Sequence, residues 1–408
     1  MEDVVIVGAG AAGSFAAAVL GEILPGKKIT LLEKTRQPLA KVKISGGGRC
    51  NVTHNCFEVK SLIENYPRGR DFLQSAFYKF RPKDMIAWLE ERNVPVKAEA
   101  DGRCFPDTNR SQTIIDCFLR GIEANGVSLL KEKEVVVVKP VTGGFEVVLK
   151  DGESILTRKV LFATGGLTRS YSIFEALGHE AVKPIPSLFG LELEEEWIKN
   201  LSGSVVKNAK IALKEFGITS SGPMLLTHFG ISGPAVLKLS AFGALKLASV
   251  NYQTKVTINW TGLHSVTAIK EAFYAEKNAV ENKKVILTPL FSLSKNLWHA
   301  LLTVIAPSAL GKNRKDLSRS EIDLLSEGLF QMPLTVVGKT TNKEEFVTAG
   351  GVSLDEIYPK TMESRKTPGV YFAGEVLNID GVTGGFNFQS AWTTAWIAAH
   401  AISESLEN

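Results

Sequence analysis

The chain begins Val4-Val5-Ile6-Val7-Gly8-Ala9-Gly10-Ala11-Ala12-Gly13, and no other stretch limits the fold so tightly. Four apolar, mostly β-branched residues predict a buried parallel strand. Gly8, Gly10 and Gly13 then fall in the G-x-G-x-x-G spacing. In that spacing the first glycine turns the chain out of the strand. The second lets a pyrophosphate reach the backbone, and the third lets a helix pack against the strand. The Ala-rich run from Ala11 to Leu20 predicts that helix, with its N-terminal amides facing the phosphates. Lys28-Ile29-Thr30-Leu31-Leu32 predicts a second strand ending at Glu33, twenty positions after Gly13. An acidic side chain there accepts hydrogen bonds from a ribose. The motif implies a dinucleotide and does not say which one.

A chain of 408 residues has room for two or three domains. With 44% hydrophobic and 22% charged residues it reads as an ordinary soluble protein. The net charge is +4, from 47 basic against 43 acidic residues. Taken as a small and spread-out excess, it predicts no nucleic-acid partner and no membrane partner. A start in a strand predicts no signal peptide, and no apolar run is long enough to span a bilayer. Four cysteines do not make a disulfide framework, so a reducing, cytoplasmic setting is expected. The histidines show no paired spacing, so no metal site is expected. Nothing in the sequence speaks to oligomeric state.

After Glu33 comes Ile44-Ser45-Gly46-Gly47-Gly48-Arg49-Cys50-Asn51-Val52-Thr53, to which Lys41, Lys43 and Arg49 supply positive charge. Three successive glycines predict a loop that brings backbone amides close to a ligand. Residues 71–93 carry the pattern of an amphipathic helical pair, Asp101–Pro106 reads as a turn, and Ser111 reads as the N-cap of a helix from Gln112. Short apolar runs follow at Val127–Leu130, Glu134–Val138, Phe145–Leu149 and Lys159–Phe162, the middle two resembling a β-meander. The last of these runs into Thr164-Gly165-Gly166. Lys183-Pro184-Ile185-Pro186 predicts a stiff connection and a boundary. From Leu188 to about Trp260 the text is strand-like, with His228 in a loop. From Val266 to Leu329 it is helical, with a capping box at Ser318/Glu321 or Ser320/Asp323. Near the end, Phe372-Ala373-Gly374-Glu375 and Asp380-Gly381-Val382-Thr383-Gly384-Gly385-Phe386-Asn387-Phe388-Gln389 form a second glycine-dense stretch before a helix from Ser390.

A dinucleotide motif at the N-terminus and a glycine-dense return at the C-terminus resemble the layout of FAD-binding Rossmann folds of the glutathione-reductase class. The runs 44–53, Thr227-His228-Phe229-Gly230-Ile231-Ser232-Gly233-Pro234 and 372–389 are similar to a bacterial flavoprotein family labelled aminoacetone oxidase family FAD-binding enzyme, or BaiN-like NAD(P)/FAD-dependent oxidoreductase. The resemblance implies an α/β fold in which a Rossmann-type FAD-binding domain, 1–185 and 346–408, is interrupted by a β-rich domain, 186–265 and 331–345, with a helical insert, 266–330. It implies one FAD per chain, bound in an extended form; non-covalent attachment, a small-molecule substrate and NAD(P)H as a candidate transient electron donor are expected beside it, and the sequence leaves substrate and donor open.

Carried over residue by residue, Gly8, Gly10, Ala12, Gly13 and Glu33 would hold the adenosine and pyrophosphate. Lys34 would flank the adenine, and Val135 would contact it through the backbone. Lys41, Ser45, Gly46, Gly47, Arg49, Cys50 and Asn51 would approach the ribityl chain and the ring. Thr164, Gly165 and Gly166 would pass near the pyrophosphate. Gly374, Glu375, Asp380, Gly385, Phe386 and Asn387 would close over the ribityl and the flavin N1–O2 edge. No catalytic acid or base is evident; His228 and Cys50 are the candidates. Two other readings stand beside an FAD-dependent oxidoreductase. One is a disulfide reductase using Cys50 and Cys56, whose five-residue spacer is one longer than in that class. The other is a binding protein that FAD merely stabilises.

Overall fold

The computed structural model describes residues 1–166, 171–278, 283–340 and 347–407. It divides into two compact units, Met1–Pro186 with Glu344–Asn408, and Ser187–Lys343.

In the first unit the strand Glu2–Val7 is the sheet's centre, its last four residues buried as their apolar character demands. It pairs in parallel with Ile29–Glu33 on one side and with Ser154–Phe162 on the other. Ser128–Lys131 extends the sheet beyond Ile29–Glu33, and a meander of Val135–Val141 and Gly144–Leu149 extends it beyond Ser154–Phe162. The long strand Ser154–Phe162 serves two partners along one edge. Its first half pairs antiparallel with the meander, and its second half pairs in parallel with Val370–Phe372. The sequence meander is thus part of the main sheet.

The helix Ala11–Ile23 packs along the closing helix, Phe386–Glu407. Phe15 is the hinge of that contact, its ring 5.0 Å from Trp88 and 5.6 Å from Trp392. Phe15 and Trp392 are fully buried, and burying side chains of this kind contributes roughly 1.5–3 kcal/mol each.

Several local expectations change. Asp101–Pro106 is not all turn: Arg103–Pro106 is the central strand of a small sheet with Thr53–His54 and Val96–Ala98. Ser111 is the first residue of its helix, with Arg110 at the N-cap, and its hydroxyl donates to the Lys43 carbonyl instead. The stretch before the triple glycine is helical, Ala40–Gly48, but it leaves helical dihedrals at Ser45, Gly46 and Gly47. The closing helix starts at Phe386 rather than Ser390, directly after Gly384 and Gly385.

In the second unit six strands close a barrel in the order Leu191–Leu193, Gly230–Ser232, Ile218–Thr227, Val205–Leu213, Thr254–Asn259 and Met332–Lys339. The helix Pro234–Ser249 interrupts what reads as continuous strand. Pro234 at its first position, where no amide is needed, is the signal that marks it. Three further helices, Val266–Lys277, Lys295–Ile305 and Arg319–Gln331, stand between the last two barrel strands. Ser318 and Glu321 form the capping box; Asp323 pairs with Lys270. No described helix is long and apolar enough to cross a membrane.

Candidate functional site

The opening turn is shaped by what a side chain would strike. Gly8 has φ +105°, and a Cβ on it would lie 2.6 Å from the Ala163 carbonyl oxygen. A Cβ on Gly13 would lie 1.9 Å from the Gly8 oxygen. A Cβ on Gly10 would meet nothing within 4 Å. Two glycines thus close strand on helix, and the one between them faces open space. Gly10 is also the N-cap of Ala11–Ile23, with no capping side chain and no acid in the first turn. The first amides and the positive end of the helix dipole are left for an anion. Thr164 lies against the same turn, and its hydroxyl is buried without a partner. Leaving such a group unpaired costs about 1–3 kcal/mol. An oxygen-rich ligand such as a pyrophosphate answers that need, so the residues fit a dinucleotide.

Glu33 stands at the end of the neighbouring strand. One carboxylate oxygen accepts from the Ala9 amide at 3.1 Å; the other accepts from the Thr35 amide at 2.9 Å and hydroxyl at 2.8 Å. The carboxylate is thereby fixed beside the glycine turn, with acceptor capacity left for a ribose hydroxyl. Lys34 is exposed next to it. Val135 begins its strand two residues after Lys133, whose amide donates to the Glu33 carbonyl at 2.9 Å. Val135 therefore sits at the Glu33 end of the sheet.

Lys41, Gly165, Gly166 and Glu375 come together. Lys41 Nζ donates to Glu375 Oε2 at 2.8 Å, and the Thr348 amide donates to Oε1 at 2.9 Å. A Cβ on Gly166 would lie 3.3 Å from Oε1, and one on Gly165 would lie 3.6 Å from Oε2. Gly374 donates its amide to Thr394 in the closing helix, and a Cβ on it would lie 2.8 Å from that of Ala12. This second patch therefore meets the helix of the opening turn.

The triple-glycine loop and the C-terminal loop are bound to each other. With its amide turned so that donors meet acceptors, Asn51 takes the Gly385 amide at 3.0 Å and gives to the Thr53 carbonyl at 3.0 Å. Thr53 donates to Gln389 at 2.6 Å, and Trp392 donates its indole N–H to Val52. Ser45 bonds within its own turn, to Val42. Arg49 is engaged elsewhere, on Glu99 at 2.7 Å and over the Phe105 ring at 3.8 Å.

Asp380 is fully buried and accepts from Arg68 on each of its two carboxylate oxygens. Asn387 clamps Gly381, accepting from its amide and donating to its carbonyl, both at 2.8 Å. Phe386 receives the Tyr66 hydroxyl on its carbonyl at 2.7 Å and the His54 ring on its own ring at 4.7 Å. His54 Nδ1 is buried without a partner, and burial holds the ring below its ordinary pKa. Sequence reasoning missed Arg68, Tyr66 and His54, since no spacing links them to residues more than 300 positions away.

The catalytic candidates fare differently. Cys50 is fully buried at φ 60°, and burial pushes its thiol up to about 12. At neutral pH such a thiol stays protonated and is a poor nucleophile. Cys56 is half-buried, and burial with Glu64 and Glu58 raises its thiol as well. Both are free. His228 belongs to the second unit, exposed in the turn between Ile218–Thr227 and Gly230–Ser232, its ring 5.0 Å from that of Phe229. Among the described residues no group of His, Cys, Asp and Glu is arranged for a metal ion.

A family model described as HI0933-like protein Rossmann domain matches residues 2–401. A ribosomal RNA dihydrouridine synthase of Escherichia coli is 31% identical, with 97% of each chain covered. A 3-dehydro-bile acid delta(4,6)-reductase of Clostridium scindens is 25% identical, covering 99% of this chain and 100% of that one. Among solved structures, a 3-ketosteroid-delta4-(5alpha)-dehydrogenase from Rhodococcus jostii RHA1 shares the fold with a TM-score of 0.52 at 14% identity, covering 98% of this chain and 96% of that one.

Proposed function

The chain belongs to the HI0933-like Rossmann family, and from that premise we propose an FAD-dependent reductase that saturates a carbon–carbon double bond conjugated to a carbonyl, acting on uracil in ribosomal RNA. The observation that carries the cofactor is the opening turn. An uncapped helix N-terminus, an open Gly10 and an unpartnered Thr164 hydroxyl meet at one point and suit a pyrophosphate. The paired glycine loops at the C-terminal side suit an extended FAD rather than a nicotinamide nucleotide alone.

Two relatives with different names support the reaction class. Turning uridine into dihydrouridine adds two hydrogens across a double bond conjugated to the base carbonyl. Reducing a Δ4,6 bond of a 3-dehydro bile acid adds two hydrogens to a bond conjugated to the ketone. When bound and reduced, FAD supplies a hydride for such a bond. The chain's own residues bind and orient it. Gly8, Gly10 and Gly13 take the pyrophosphate, Glu33 the ribose, Lys41 with Glu375 the ribityl side, and Gly385, Phe386 and Asn387 the ring. The buried Arg68–Asp380 pair and the Asn387–Gly381 clamp keep that last loop in one shape. NADPH or NADH is the reductant in this reading.

Ribosomal RNA is preferred as substrate because the E. coli relative has the higher identity over the same length. This departs from the expectation of no nucleic-acid partner, which rested on a small net charge taken as spread out, with no face rich in Lys and Arg. The second reading, a small steroid-like enone, draws on the Clostridium relative. The test incubates the purified yellow protein and NADPH with ribosomal RNA from a strain lacking the gene, followed by mass spectrometry of the nucleosides. Dihydrouridine appearing in the RNA supports the proposal. Flavin reoxidation by a 3-oxo-Δ4,6 bile acid with unchanged RNA favours the second reading. A colourless protein that takes up no FAD sinks both.

A further inference from the structure

The charge of this chain is not evenly spread. Residues 187–343 hold 18 Lys and Arg against 12 Asp and Glu, a net of +6, so the rest of the chain is at −2. Within the second unit the excess narrows to residues 283–319, where seven Lys and Arg face a single acid, Asp316.

The fold gathers these cations. The Val285 amide donates to the Lys312 carbonyl at 3.0 Å, and the Arg314 amide to the Lys283 carbonyl at 2.9 Å. Two short segments, each with adjacent basic residues, are thereby laid side by side, with Lys284 opposite Asn313. Trp298 donates its indole N–H to the Val285 carbonyl at 2.8 Å, which fastens the first turn of Lys295–Ile305 to the same place. Lys312 and Arg314 are neutralised within the fold by Glu321 and Glu276. Lys284, Lys295, Lys315 and Arg319 are exposed, and among the described residues none has a carboxylate at ion-pair distance.

Two of these four stand where helix stability disfavours them. Lys295 and Arg319 are the first residues of their helices, after the capping serines Ser294 and Ser318. A cation there opposes the positive end of the helix dipole. An anion meets both the side chain and the dipole favourably at such a place. A cluster of long, exposed cations on a surface of helix starts and turns suits a row of phosphates rather than one small ligand.

We propose that this patch, centred on Lys284, Lys295, Lys315 and Arg319, docks the phosphate backbone of structured RNA. The inference rests on the RNA reading above and gives it a binding surface outside the cofactor site. Its contacts are to phosphate, so they set affinity and salt dependence rather than sequence choice.

The test titrates a fluorescein-labelled RNA stem–loop with FAD-loaded protein, read by anisotropy at several KCl concentrations. Wild type is compared with the variant carrying Lys284→Ala, Lys295→Ala, Lys315→Ala and Arg319→Ala. The slope of log affinity against log salt should fall by roughly one for each cation that meets a phosphate. The variant should keep its FAD and melt no lower than wild type, because two of its changes remove cations from helix N-termini. A control with Lys60→Ala and Lys83→Ala, in the first unit, should leave the slope unchanged. Wild-type affinity and slope in the fourfold variant overturn the proposal. So does variant-sensitive binding to phosphatidylglycerol vesicles with none to RNA. Dihydrouridine formation with normal RNA binding in the variant removes the patch and leaves the function standing. Loss of RNA binding in the variant, with turnover of a small enone retained in both proteins, keeps the patch and narrows its role to docking.

Discussion

The glycine turn at residues 8–13 and the glycine loop at residues 380–385 look alike in sequence and are held in opposite ways. The first is kept mainly by backbone packing, with Glu33 on the Ala9 amide and the Ser14 hydroxyl on the Ala9 carbonyl as its side-chain ties: Gly13 lies under the Gly8 carbonyl, Gly8 against Ala163, and no side chain caps the helix. The second is kept by side chains: Arg68 on Asp380, Asn387 on Gly381, Tyr66 on Phe386. A turn held mainly by shape fails when an atom is added at Gly8 or Gly13. A loop held by charges and amides fails also when a partner is removed, and its Gly385, where a Cβ would lie 2.5 Å from the Thr53 carbonyl oxygen, accepts no side chain either.

The sharpest break is Gly13→Ala. A methyl group 1.9 Å from a carbonyl oxygen forces the helix off the sheet, so the variant should lose bound flavin and about 3 kcal/mol or more of stability. Absorbance at the flavin band and a denaturant melt measure both. In the other region, Asp380→Ala removes the carboxylate that the mostly buried Arg68 guanidinium pairs with. Breaking a buried pair in this way costs about 3–5 kcal/mol. A urea melt of the FAD-free protein reads it, and a loss under about 1 kcal/mol would mean that the pair behaves as an exposed one.

Glu33→Ala separates binding from folding. It should weaken FAD by about 1–3 kcal/mol, the cost of unpaired hydroxyl partners, with a smaller change in the melt of the FAD-free protein. Wild-type FAD affinity in that variant would remove the ribose role.

The pH response is tested beside the C-terminal strands. His179 is buried with Nδ1 on Glu356 at 2.9 Å and Nε2 on Ser364 at 2.8 Å. Burial holds His179 below its ordinary value in spite of Glu356. The unfolded chain then takes up the proton first, near pH 6.5, so this stability is complete above that value and lost as pH falls. Burial raises the Glu356 carboxyl, but the Glu180 amide and His179 more than offset it, and it ends lowered. Its stability is complete above the ordinary carboxylate value and lost only at more acid pH, so the range from 7 to 5 belongs to His179 together with His54, whose ring burial also holds low. The fall in melting temperature over that range should be shallower in His179→Gln than in wild type. The smallest effect is Lys41→Ala. Its pair with Glu375 is 61% exposed on the lysine side, and such pairs contribute about 0–1 kcal/mol. Added salt should remove most of the difference.

What was legible in the sequence follows the same division. The Rossmann opening was readable because its geometry dictates residue type locally: strand, three glycines, helix and acid lie within the first 33 residues. The triple glycine was readable as a break in helical dihedrals for the same reason. The Arg68–Asp380 pair was not, because its partners are 312 residues apart and nothing local marks either one. The helix Pro234–Ser249 was lost because the strand-like runs on either side were read through it, although Pro234 marked its start and its Ala and Leu favour a helix. Arg103–Pro106 was taken for a turn because its strand character comes from pairing with Thr53–His54 and Val96–Ala98. The basic patch was hidden by summation: the acidic first unit cancels part of the second unit's charge in the total.

The double pairing of Ser154–Phe162 has a consequence for how the protein is made. Its second half waits for Val370–Phe372, and Phe162 meets Phe372 only when nearly the whole chain exists. On a ribosome the sheet of the first unit therefore stays open along that edge while the barrel unit is synthesised. Ser187–Lys343 forms the bulk of its contacts internally, so it has the means to fold in that interval and bring the two ends of the gap together. Closing a gap between the ends of a folded insert costs far less entropy than closing the same length of loose chain. The cofactor cradle, whose two glycine stretches lie at opposite ends of the chain, is therefore completed only after the whole inserted unit has been made.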